Sequence, residues 1–208
     1  MTADDLAILS DLDGTLIDSK ASVLRAFRWW ADLRGLDSAV ADRIPHGRTS
    51  TDAAAVLAPH LDPIVEGALL DDCQQHDTNG VVALPGARGV LARTPLAIVT
   101  SCPLPLARAR LTAAGLPIPT TLLTPELWTR GKPHPEPYLL GARTLGTPPE
   151  RCVVLEDAPA GVASGRAAGM IVFAVLTTHT ENELPGATAY LHDLTQLGAT
   201  LTSHGPSR

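Results

Sequence analysis

Two aspartates, Asp11 and Asp13, stand two residues apart in DLDGTLIDS at 11–19, where the apolar run LAILSDL at 6–12 ends. If that run is a strand, both lie at its C-terminal edge, outside which open α/β sheets bind their ligands. The two carboxylates can take different roles, one attacking or holding a metal while the other handles a proton. Gly14 and Thr15 then let the chain leave the strand abruptly.

Three further segments offer complementary groups. A second apolar run, PLAIVTS at 95–101, ends in Thr100 and Ser101 just before Pro103. Hydroxyls and free N–H groups at a helix N-terminus form an anion site, although Ser101 taken alone reads first as a plain helix cap. Lys132 sits in the proline-rich RGKPHPEPY at 130–138, where it could place a point charge on a phosphate oxygen. Glu156 and Asp157 follow the apolar RCVVLED at 151–157. Two acids at the same sheet edge as Asp11 suit a hard cation with oxygen ligands, which points to Mg²⁺.

The elements that must position these residues follow from the apolar pattern. Runs at 6–12, 95–101, 120–124, 151–157 and 170–176 are continuously apolar and bounded by turn residues, as expected of strands buried on both faces. Helical patterns lie between them at 86–93, 103–114, 135–145 and 158–169, so the fold class is α/β, a doubly wound parallel sheet. Residues 19–80 break the alternation: they hold amphipathic patterns at 20–34, 50–58 and 62–76 and no buried strand. This predicts a small helical cap at 19–80 inserted into a core made of 1–18 and 81–208, with TNG at 78–80 opening the return.

Bulk properties narrow the partners. With 208 residues, 45% hydrophobic, the chain can bury one good core, and a net charge of −6 gives no footprint for nucleic acid. Cys73, Cys102 and Cys152 show no metal-ligand spacing, and their odd number fits a reducing compartment, so a cytoplasmic location is expected. No apolar run is long enough to span a bilayer, so no membrane partner is expected; oligomeric state is not readable.

In this order, DLDGT, TS, GKPHPEPY and LEDAPAG resemble the motifs of the haloacid dehalogenase superfamily, in its phosphatase branch with a helical cap inserted after the first motif. PHGRTSTDA at 45–53 and LEDAPAGVASGRAAG at 155–169 are most similar to phosphatases of glycerol phosphate, hexitol phosphate and deoxysugar phosphate. The resemblance implies Mg²⁺-dependent hydrolysis of a small phosphorylated metabolite, a sugar or polyol phosphate, through an aspartyl phosphate. It makes Asp11 the nucleophile, Asp13 the general acid/base, and Thr100, Ser101 and Lys132 the phosphate clamp. The metal would be held by Asp11, a main-chain carbonyl of Asp13 and Asp157, with Glu156 beside it. His46 and Arg48 are the candidates for substrate contact from the cap. Cys102 departs from the pattern, since these relatives commonly carry Gly there. A sugar phosphomutase of the same superfamily is the nearest alternative, and a non-catalytic phospho-acceptor module a more distant one.

Overall fold

The computed structural model of the chain describes residues 6–204. Six parallel strands form the main sheet in the order β5-β4-β1-β6-β7-β8, with β1 Ala7–Ser10, β4 Leu96–Val99, β5 Leu122–Leu123, β6 Cys152–Glu156, β7 Ile171–Val175 and β8 Ala189–Leu191. β1 pairs with β4 on one side and β6 on the other, Ser10 lying opposite Ile98 and Leu155. The chain order reverses there, which makes the end of β1 the topological switch point where such sheets bind ligands.

Alternate residues of each strand feed cores on opposite faces. Ile8, Val153, Leu155 and Phe173 join Leu106 and Leu111 on one face, while Ala7, Leu9, Val154 and Val172 join Tyr138 and Val162 on the other. Burial on both faces is why these strands read as unbroken apolar runs. The intervening helices are α4 Ala87–Leu91, α5 Leu104–Ala113, α6 Glu136–Thr144 and α7 Pro159–Ala167. The expected edge at 120–124 shrinks to two residues, and β8 and the final helix α8 Leu197–His204 were not foreseen. AYL is too short to carry a periodic signal.

Between β1 and β4 the chain forms α1 Lys20–Arg34, a 3₁₀ turn at Ser38–Arg43, α2 Ser50–Leu57 and α3 Pro63–His76. They have their own core, built on Phe27, Trp30, Ala53, Ala54 and Leu70. Inside it, Trp30 Nε1 donates to Glu66 Oε2 at 2.6 Å and Arg34 Nε donates to the same oxygen at 2.9 Å, which ties α1 to α3. The starts of α2 and α3 are capped by side chains: Thr49 accepts from Asp52 N and Asp62 accepts from Ile64 N. One feature is absent from the sequence reading. β2 Ile17–Asp18 and β3 Val82–Ala83 pair antiparallel, Ile17 against Ala83, so the chain enters and leaves the helical insertion through a two-stranded ribbon.

Candidate active site

Asp11 follows β1, Asp157 follows β6, and the Lys132 loop precedes α6, so three separate connections meet at one end of the sheet. Lys132 Nζ donates to Asp11 Oδ1 at 2.6 Å, to Glu156 Oε1 at 2.6 Å and to the Val99 carbonyl at 3.0 Å. These three bonds satisfy an ammonium whose side chain is completely buried. Burial alone would lower its pKa, but the Asp11 and Glu156 carboxylates hold it above the usual lysine value.

Glu156, 0% exposed, braces the cluster from below. Its Oε1 also accepts from Tyr138 Oη at 2.7 Å, and its Oε2 accepts from the N–H groups of Asp157 and Ala158 at 3.2 and 3.4 Å. Space for this carboxylate exists because residue 161 is glycine: a Cβ there would lie 1.8 Å from Glu156 Cδ. Asp157 is held by Thr15, which donates to Oδ1 at 3.0 Å, and by Thr178, which donates to Oδ2. Gly14, at φ +81°, completes the fit, since a Cβ would come within 2.1 Å of Asp157 Oδ2.

Carboxylate oxygens of Asp11, Glu156 and Asp157 all lie within 4.8 Å of one another. Three buried acids against one lysine leave the cluster two positive charges short. Burial pushes the Asp11 carboxyl well above its usual range; Lys132 opposes this, while Glu156 and Asp157 add to it. Burial and the Glu156 charge likewise raise Asp157 to about 7, against its threonine donors. An all-oxygen set with this charge deficit fits a hard divalent cation, which would favour the ionised carboxylates.

Asp13 is not part of this cluster. Ser19 Oγ donates to its Oδ1 at 2.6 Å, and Arg110 Nη1, from α5, pairs with Oδ2 at 2.8 Å. The carboxylates two residues apart in sequence thus have separate surroundings: a continuing strand would have put both on one face, but β1 ends at Ser10 and the chain turns at Gly14. Both line a cavity of about 330 Å³, a volume suited to a small metabolite. Its floor is the sheet edge, and its roof is the insertion, with Val23, Leu24, Phe27 and Ile44 supplying apolar wall.

The remaining sequence candidates divide. Thr100, Ser101, His46, Arg48 and Asp157 line the cavity, whereas Lys132 and Glu156 lie beneath its floor. Lys132 Nζ sits against Asp11, the residue expected to meet the phosphate. Neither hydroxyl of the second motif is free: Thr100 Oγ1 accepts from Cys102 N at 3.3 Å, and Ser101 Oγ donates to the Gly47 carbonyl of the insertion at 2.9 Å. At the start of α5, the Leu104 N–H donates to the Glu126 carboxylate at 3.2 Å. His46 stacks edge-on against His179, ring centroids 5.4 Å apart, and Arg48 is exposed at the cavity.

The sequence reading missed Thr178 and Arg110. Thr178 had a usable signal, because TTH at 177–179 follows β7 at the same sheet edge. Arg110 had none, since an arginine in LARARL reads as an exposed helix position yet is 3% exposed.

Known proteins resemble this chain in sequence and in fold. Hexitol phosphatase A of Escherichia coli is 43% identical over 205 residues, covering 95% of each chain. Glycerol-1-phosphate phosphohydrolase 1 of Saccharomyces cerevisiae is 33% identical over 187 residues, 83% of this chain and 75% of that one. Among solved structures, CbbY from Rhodobacter sphaeroides in complex with phosphate superposes with a TM-score of 0.80 at 25% identity, covering 94% of this chain and 98% of that one. The model of haloacid dehalogenase-like hydrolases matches residues 6–169, and the chain belongs to that family.

Proposed function

We propose that this enzyme hydrolyses the phosphate monoester of a small sugar or polyol, with Asp11 as nucleophile and Asp13 as general acid/base. The observation that carries the reading is the buried Asp11–Lys132–Glu156–Asp157 cluster at the floor of a cavity between the sheet edge and the insertion, with a second carboxylate beside it in a different setting. Relatives named for hexitol and glycerol phosphates support the substrate class.

Asp11 attacks phosphorus while Lys132 holds its other oxygen and fixes its direction. Asp13 hands a proton to the departing alcohol oxygen, then takes one from the water that cleaves the aspartyl phosphate. Positioned acid/base help of this kind contributes ~10²–10⁴-fold. Asp11 and Asp157 would hold a divalent metal, for which Mg²⁺ suits the donors; bound there, it would offset the repulsion between carboxylate and phosphate and stabilise developing charge. Glu156 orients the cluster, its oxygens already accepting four hydrogen bonds. The insertion, taken as 19–80 on a core of 1–18 and 81–208, acts as a cap that excludes water and presents Arg48 and His46 to the substrate.

The test is turnover of a panel of phosphorylated sugars and polyols with Mg²⁺, with mass spectrometry of the quenched enzyme. One phosphoryl group on Asp11 and release of inorganic phosphate are expected. Labelling of another residue, or full turnover in EDTA, would overturn the assignment.

A further inference from the structure

Arg110 is a charged residue buried between two elements, and its donors are aimed at one from each. Its Nη1 lies 2.8 Å from Asp13 Oδ2 in the core, while its Nη2 donates to Gln74 Oε1, on α3 of the insertion, at 2.7 Å. Its buried Nε has no hydrogen-bond partner among the described residues, so the guanidinium is directed mainly through Nη1 and Nη2. Gln74 is itself 3% exposed and fixed: Nε2 donates to the Leu70 carbonyl at 3.0 Å and to Ser50 Oγ at 3.3 Å, which directs Oε1 to the guanidinium. Ser50 Oγ in turn donates to Asp71 Oδ1 at 2.6 Å. A continuous polar chain thus runs from two helices of the insertion to the acid/base carboxylate.

We propose that Arg110 is a positioning residue for Asp13, and that Gln74 makes this positioning depend on the seating of α3 against α5. The inference rests on the reading of Asp13 as acid/base. A planar guanidinium offers two parallel-edged contacts that a lysine could not reproduce, so one side chain can fix a carboxylate and register a neighbouring helix together. With the insertion displaced, Arg110 would lose the acceptor that orients it, and Asp13 would keep only Ser19. Water reaching an open site would then meet an acid/base out of position, which limits unproductive chemistry.

The experiment uses an aryl phosphate, whose leaving group needs no proton, and compares the first turnover with the steady state. In Arg110→Met, Asp11 should still be phosphorylated in a burst, while steady-state kcat falls about tenfold or more, a fraction of what acid/base help supplies. Gln74→Leu should lower kcat by about three- to tenfold with KM little changed, the effect of one hydrogen bond. If Arg110→Met does not fold, Gln74→Leu carries the test alone. In an Asp13→Asn background, Arg110→Met should add no further loss, because the positioned group is already gone. Multiplying losses in that double variant would mean that Arg110 touches substrate directly and would overturn the proposal. So would burst and steady state falling together, the mark of a structural role. Absence of any phosphorylated Asp11 in the unmodified enzyme would instead overturn the functional reading beneath it.

Discussion

Asp11 and Asp13 are two residues apart, yet the molecule builds their surroundings from different parts. Every group holding Asp11 belongs to the sheet core: Lys132, the Val99 carbonyl behind it, Glu156 and, one layer further, Tyr138. Asp13 is held by Ser19, at the entry to the insertion, and by Arg110, whose other partner is Gln74 on α3. The proposed nucleophile is thus set by the fold of the core, whereas the proposed acid/base is set by contact between core and insertion. Chemistry that needs a fixed attacking atom and a conditional proton carrier can obtain both from one strand end.

The comparison can be broken from the Asp11 side most severely. Asp11→Asn should abolish phosphoenzyme formation and turnover, since an amide is a poor nucleophile; residual labelling at Asp11 is chemically excluded, so any turnover seen would relocate the nucleophile. Lys132→Met should destabilise the core by about 3–5 kcal/mol, read by urea unfolding, because it leaves Asp11 and Glu156 buried without their partner. Saturating Mg²⁺ should recover part of that loss, as it supplies positive charge to the same carboxylates.

A milder change tests the orientation of Asp157, proposed above to hold the metal. Thr178→Val removes a donor to Asp157 without touching the carboxylate, and should weaken Mg²⁺ affinity by about 10–100-fold in a titration, with folding little affected. An unchanged affinity would place the metal away from Asp157.

The smallest effect sharpens the Asp13 side through pH. Burial raises Asp71 on α3 to about 6 from an ordinary 3.8, against the Ser50 donor and the nearby Arg110. The folded form therefore holds this proton more tightly than the unfolded chain. The resulting contribution to stability is fully present below about 3.8 and is lost as pH rises through about 6. Asp71→Asn should flatten that part of the stability profile between those values. A profile identical to that of the unmodified protein would remove Asp71 from the polar chain linking insertion and core.

How far each region was legible follows from the range of its interactions. The buried strands at 7–10, 96–99, 152–156 and 171–175 and the helices of the insertion announced themselves through continuous apolar runs and amphipathic periods. The ribbon of β2 and β3 did not, because two-residue strands 64 positions apart carry no local pattern. Lys132 was legible as a site residue, but its burial beneath Asp11 was not, since a proline-rich loop does not state which side of a carboxylate it will meet. Ser101 was legible as a hydroxyl at a helix start, whereas its bond to Gly47 depends on the insertion folding over it.

By itself, the sequence determined the α/β class, the helical insertion and the strand-end placement of Asp11, Asp13, Glu156 and Asp157, because hydrophobic period and chain direction are local properties. Only the tertiary structure decided which carboxylates share a charge cluster and which is shared with the insertion. That division depends on groups such as Lys132, Arg110, Gln74 and Thr178, which are distant in the chain and meet only when burial forces each polar atom to find a partner.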